Sequence, residues 1–209
     1  MRVISVVGFL GSGKTTTIAA LARHLTSQCQ RVAFLINDVG EVQIDGAVIR
    51  AGGHEVVEIY GGCLCLMQDD LYIGLNELAA IPGLDWVIIE PAGTADAARM
   101  CRLLERFPRL SSPEIAARYR FQCRLGIVDA ARYRLLMRSV PHLIRTSVRT
   151  ADVVLLNKTD SAAPAETTRI QAELGNWMKP NAALEMTTAT AGLPPAIIEK
   201  ILGTGHHHV

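Results

Sequence analysis

One stretch limits what this chain can fold into more than any other: Val3-Ile4-Ser5-Val6-Val7-Gly8-Phe9-Leu10-Gly11-Ser12-Gly13-Lys14-Thr15. An apolar run leads into G-x-x-x-x-G-K-T, the spacing of a phosphate-binding loop in the strand-to-helix setting that it requires. Gly8, Gly11 and Gly13 let backbone N–H groups turn inward around an anion. The helix opening at Lys14 points its positive end at the same place. Lys14 is placed to reach β- and γ-phosphates and the Thr15 hydroxyl to ligate Mg²⁺, with Ser12 and Thr16 in the same binding stretch.

Apolar segments then alternate with helical patterns along the chain. Strands are expected over about 2–7, 31–36, 55–60, 85–90, 121–129, 152–156 and 182–187, and helices over about 14–27, 69–80, 95–105, 130–150, 164–177 and 194–202. A proline- and serine-containing break is expected from Pro108 to Pro113. Continuous rather than alternating apolarity in the strands is the mark of parallel strands buried on both faces. The expected fold is an α/β three-layer P-loop NTPase domain with a mostly parallel central sheet flanked by helices. It forms one domain over 1–203, with a His-containing tail over 204–209.

Three further stretches carry chemistry. Asp85-Trp86-Val87-Ile88-Ile89-Glu90 is a buried strand ending in a carboxylate, as in the second half of a P-loop site, where the acid helps to hold Mg²⁺ or its water. Gly93 follows and allows close backbone approach to a γ-phosphate. Asn157-Lys158-Thr159-Asp160 is N-K-x-D directly after a strand. Its aspartate can accept two hydrogen bonds from guanine N1 and the 2-amino group, a donor pair that adenine lacks, so GTP is favoured over ATP. The plainer alternative makes Asp160 a helix N-cap. Finally, Asn37-Asp38-Val39-Gly40-Glu41-Val42-Gln43-Ile44-Asp45-Gly46 is acidic, glycine-punctuated and placed after a strand, where a segment sensing Mg²⁺ and the γ-phosphate belongs.

Cys63-Leu64-Cys65 offers two thiols that can point into one soft-metal site, yet a tetrahedral Zn²⁺ wants four ligands. Two buried structural cysteines are the alternative. The chain has five cysteines, an odd number, and two lie one residue apart, which makes a poor disulfide framework. Reduced thiols and a cytoplasmic location are expected. Met1-Arg2 leads straight into the first strand, so no signal peptide is expected, and no apolar stretch approaches the ~20 residues that span a bilayer. His206-His207-His208 is read as native sequence rather than a tag remnant, either metal-binding or solvated, and His54 precedes the strand that leads to the cysteines. The net charge of +1 singles out no partner. Twelve arginines between Arg99 and Arg149 face only Glu105, Glu114 and Asp129. A solvated helical face explains them better than nucleic-acid binding.

Taken in order, the phosphate loop, the N-D-x-G-E-x-x-I-D-G segment, G-G-C-L-C, the strand ending in Glu-x-x-Gly and N-K-T-D resemble the CobW-type GTPases. Those belong to the metal-trafficking GTPases that include the urease and hydrogenase nickel-insertion accessory proteins. The resemblance covers about residues 1–190. It implies a SIMIBI-type P-loop GTPase that dimerises, binds Zn²⁺, Co²⁺ or Ni²⁺ and couples GTP occupancy to metal capture or release. Asp38, Glu41 and Asp45 would then be the switch acids, Cys63 and Cys65 the first two places of a C-x-C-C metal motif, and Glu90 with Gly93 the Glu-x-x-Gly. Three features depart from the pattern. Leu66 stands at the usual third cysteine and Asp38 where glutamate is more common, and the chain ends where the family continues into a C-terminal domain.

The expected activity is slow hydrolysis of GTP to GDP, driving a metallochaperone or metal-insertion switch. Lys14, Asp38, Glu41 and Glu90 would serve the chemistry, and Thr15, Asp45, Glu90, Cys63 and Cys65 the metals. The implied partners are a client metalloprotein or cofactor enzyme and a second copy of the chain, with no membrane. Two other classes compete. One is a GTPase that gates a cofactor-dependent enzyme, such as a corrinoid one, without carrying metal. The other is a small-molecule kinase, which N-K-T-D argues against.

Overall fold

The structure is a computed structural model describing residues 1–37, 55–59, 62–188 and 192–203. Its centre is a seven-stranded sheet in the order β3-β2-β4-β1-β5-β6-β7, with every pairing parallel. The strands are β1 (Arg2–Gly8), β2 (Val32–Asn37), β3 (Glu55–Ile59), β4 (Trp86–Glu90), β5 (Arg120–Asp129), β6 (Val153–Asn157) and β7 (Ala183–Thr187). The helices are α1 (Lys14–Ser27), α2 (Gln68–Ala80), α3 (Ala97–Leu110), α4 (Pro113–Arg118), α5 (Tyr133–Ser139), α6 (Pro141–Thr150), α7 (Pro164–Gly175) and α8 (Pro195–Gly203).

Alternate strand residues feed the two faces of the sheet. Ile4, Val6, Phe34, Ile88, Leu125 and Leu155 face α1 and α8, whose Ile18, Leu21, Ile198 and Ile201 complete one core. Val3, Leu35, Val87 and Ile89 face α2 and α3 on the other side, and Val154 and Leu156 face α5, α6 and α7. Each fully buried Ile or Leu contributes about 1.5–3 kcal/mol. The three layers expected from the sequence are present. Arg99, Arg102, Arg106 and Arg109 line the exposed side of α3, while Met100, Leu103, Leu104 and Phe107 are buried.

The sheet winds outward from β1. Because β2 and β4 lie on one side of it and β5 on the other, the carboxyl ends flanking β1 form the topological switch point where α/β sheets bind ligands. The last residues of six of the strands, Asn37, Glu90, Gly8, Asp129, Asn157 and Thr187, lie along this edge.

The helices differ from the sequence reading in three places, one of them the short α4 at Pro113–Arg118, which that reading lacks. Helix α3 runs through Pro108 to Leu110 rather than breaking there. Proline cannot donate to the carbonyl one turn earlier, and a buried unpaired carbonyl is costly. Here the Tyr119 hydroxyl donates to Leu104 O at 3.0 Å and supplies the missing bond. The stretch 130–150 divides into α5 and α6 at Val140, since Pro141 fits the first position of a new helix.

Candidate functional site: a phosphate loop beside a two-thiol turn

The loop after β1 is shaped by glycines at positions where a side chain would collide. Gly13 has φ 102° and ψ 20° and Gly11 has φ 69°, the left-handed region that glycine reaches without strain. A Cβ on Gly8 would stand 2.6 Å from Ile127 O. Helix α1 has no side-chain cap and no acidic residue in its first turn, so its N-terminal N–H groups and dipole are left for an anion.

Three successive loop carbonyls are held from outside. Arg132 Nη2 donates to Leu10 O at 2.6 Å, Lys158 Nζ to Gly11 O at 2.6 Å and Asn157 Nδ2 to Ser12 O at 2.8 Å. Holding three successive carbonyls fixes the loop before any ligand arrives, as an anion-binding loop needs. Asp129, fully buried at the end of β5, organises two of these donors. It accepts from Lys158 Nζ at 2.9 Å and from Arg132 Nε at 2.8 Å. Burial works against its charge, but the Lys158 and Arg132 hydrogen bonds outweigh it and hold the carboxyl below its ordinary value. Lys158 itself is left-handed, with φ 60° and ψ 37°. That strained conformation aims its ammonium back over the loop.

Lys14, which opens α1, and Glu90, which closes β4, face each other with Nζ 3.7 Å from Oε1 and both side chains under 10% exposed. Burial lowers the Lys14 pKa, and Glu90 opposes that shift without cancelling it. Thr15 and Thr16 are exposed at the mouth of the loop, and Ser12 is buried. The Ser12 Oγ has no hydrogen-bond partner among the described residues, which fits a polar ligand in the cradle. Gly93 presses directly on this loop: a Cβ there would lie 2.7 Å from Leu10 N and 2.7 Å from Leu10 Cδ2.

Asp160 lies exposed in a 3₁₀ turn over Thr159–Ser161 and caps no helix, because α7 begins at Pro164 with Ala163 before it. A cleft of about 510 Å³ adjoins this turn, lined by Thr159, Met186, Thr187, Thr188, Leu193 and Pro194 among others.

On the other flank, Cys63 and Cys65 sit in a tight turn closed by Leu66 N donating to Cys63 O at 2.7 Å. Leu64 between them is fully buried and pins the turn to the core, while Leu66 is 64% exposed. The two free thiols meet with sulfurs 2.7 Å apart. Burial, and then the Cys65 thiol beside it, push the Cys63 pKa up to about 11. Among the described residues no third His, Cys, Asp or Glu joins them. Asp38, Glu41, Asp45, His54 and the tail histidines His206, His207 and His208 lie outside the described residues.

Sequence reading assigned no role to Asp129, Arg132 or Thr187. Asp129 carries the same signal that singled out Glu90, an acid closing an apolar strand.

Residues 2–184 match the model of the CobW/HypB/UreG nucleotide-binding domain. The chain is similar to the zinc chaperone YeiR of Escherichia coli (strain K12), with 32% identity over 180 residues, 84% of this chain and 51% of that protein. It is similar also to the zinc chaperone CobW of Pseudomonas aeruginosa, with 30% identity over 225 residues, 93% of this chain and 58% of that one. The chain thus spans about half the length of the curated relatives it matches. In fold it resembles the hydrogenase maturation factor HypB of Archaeoglobus fulgidus, with a TM-score of 0.66, 18% identity and coverage of 97% and 89% of the two chains. The loop after β1, the acid closing β4 and the match over nearly the whole chain lead to one assignment: the protein belongs to the CobW/HypB/UreG nucleotide-binding domain family.

Proposed function

We propose that residues 1–203 form a GTP-hydrolysing switch that captures and releases a transition-metal cargo for a client metalloprotein in the cytoplasm. The observation that carries this reading is that two free thiols are brought together in one turn on the same sheet edge as the phosphate loop. Zinc is the favoured cargo because the relatives named above are zinc chaperones; cobalt and nickel remain in the same ligand class. Cys63 and Cys65 supply two soft ligands, and Asp45 is the acid assigned to the same metal. A second copy of the chain is the expected partner in the GTP-bound state.

At the nucleotide, the chain's own groups position and neutralise. The loop and α1 hold the phosphates, Lys14 offsets charge developing toward the γ-phosphate, and Thr15 and Glu90 hold Mg²⁺ or its water. Mg²⁺ held there by Thr15 and Glu90 would supply positive charge against the phosphates. The guanine edge pairs with Asp160, and the cleft beside β7 takes the base. Asn157 and Lys158 keep the loop and that turn in fixed relation.

The competing reading is a GTPase that gates a cofactor-dependent enzyme and uses the thiols only for packing. Turnover separates the two. Measured on the full chain with Mg²⁺-GTP, hydrolysis is expected to change at least about fivefold on adding stoichiometric Zn²⁺. A rate indifferent to Zn²⁺, Co²⁺ and Ni²⁺ contradicts the metal switch.

A further inference from the structure

We propose that Asn37 is the positioning residue that couples the two halves of the site, tying the thiol turn to the turn that carries Gly93. The proposal rests on the metal-switch reading and names the contact through which nucleotide state reaches the thiols.

Asn37 closes β2 and is 5% exposed. Its amide nitrogen donates to Ile59 O at 3.2 Å and to Gly62 O at 2.7 Å. Its Oδ1 accepts from Leu64 N at 2.8 Å and from Ala92 N at 3.3 Å. Two donor hydrogens and two acceptor lone pairs are thereby all used. Two partners, Gly62 and Leu64, flank Cys63 on the thiol turn, and a third, Ile59, closes β3. The fourth, Ala92, lies between Glu90 and Gly93, and Gly93 in turn abuts Leu10 of the phosphate loop.

A continuous contact path follows, from loop phosphate through Leu10, Gly93, Ala92 and Asn37 to Leu64 between the cysteines. The Ala92 bond is the longest of the four and therefore the weakest. A shift of the Gly93 turn on loss of the γ-phosphate moves Ala92 N and pulls on that bond. The carboxamide is buried and short, so it cannot follow Ala92 without carrying Gly62 O and Leu64 N with it. The separation of the two sulfurs, and hence their fitness as a metal pair, changes with the nucleotide.

Aspartate has the shape of Asn37 and keeps both accepted bonds, but it sets a carboxylate oxygen against Ile59 O and Gly62 O. Serine is too short to span the two turns. The test uses Co²⁺ as probe, with its thiolate absorption band and chelator competition giving affinity in the Mg²⁺-GDP state and with a non-hydrolysable GTP analogue. The parent chain is expected to show a ratio of at least about tenfold between the two states. In Asn37→Asp and Asn37→Ser that ratio falls to within about twofold, while the band is retained and nucleotide affinity without metal stays within about threefold. The reciprocal effect of Co²⁺ on nucleotide affinity must collapse by the same factor. A residue that merely stabilised the fold would lower the melting temperature and leave the ratio untouched. Variants that keep the parent ratio overturn the role of Asn37 and leave the metal switch standing. A parent ratio of one overturns the switch itself. If Asn37→Asp does not fold, Asn37→Ser decides by the same ratio.

Discussion

The double variant Cys63→Ser, Cys65→Ser is expected to lose at least about 100-fold in Zn²⁺ affinity while GDP affinity stays within about threefold. Residues that only orient a ligand are worth 10–100-fold in metal affinity, so removing two direct thiolates costs no less. Serine keeps the size and hydrogen-bonding capacity of the turn but offers a hard, protonated oxygen in place of soft sulfur. The nucleotide site is spared because, among the described residues, the hydrogen bonds from the turn toward the loop run through Asn37 to Ala92. Chelator competition for the metal and a fluorescent GDP analogue for the nucleotide measure both effects. Unchanged Zn²⁺ affinity would assign the two sulfurs to packing alone.

Gly93→Ala is expected to slow GTP hydrolysis by about 100-fold while GDP binds within about threefold of the parent. The new methyl group would meet Leu10 N at 2.7 Å, and because that atom is backbone, rotating a side chain cannot relieve the overlap. The two turns must separate by a few tenths of an ångström or more. A displacement of about 1 Å at a reacting centre is enough to cost 10²-fold. GDP lacks the phosphate that this turn serves, so its affinity is the internal control. Single-turnover hydrolysis reads the effect, and a parent-like rate would place Gly93 outside the γ-phosphate contacts.

What the sequence made legible is what lies within a few residues along the chain. The loop at Gly8–Thr15, the acid Glu90 with Gly93, and Asn157-Lys158-Thr159-Asp160 each occupy one strand end and one turn, so their spacing carries their geometry. The parallel α/β sheet followed from unbroken apolar strands. Asn37 was legible only as the start of an acidic stretch, because its four partners stand 22, 25, 27 and 55 positions away. No local pattern announces a side chain whose bonds are all long-range. Asp129 was readable by the rule applied to Glu90, whereas the reach of Arg132 to Leu10 O, across 122 positions, was not. The continuation of α3 through Pro108 was hidden for the same reason, since Tyr119 donates to Leu104 O from outside the helix.

The central claim is that nucleotide occupancy sets metal affinity, and the direct measurement is Zn²⁺ competition with a chelator at neutral pH. The protein is loaded with Mg²⁺ and either GDP or a non-hydrolysable GTP analogue. The account predicts affinities that differ by at least about tenfold between the two states, a difference lost in Cys63→Ser, Cys65→Ser. Equal affinity in both states contradicts it, since a ligand that binds two conformations equally well cannot be moved by the switch between them.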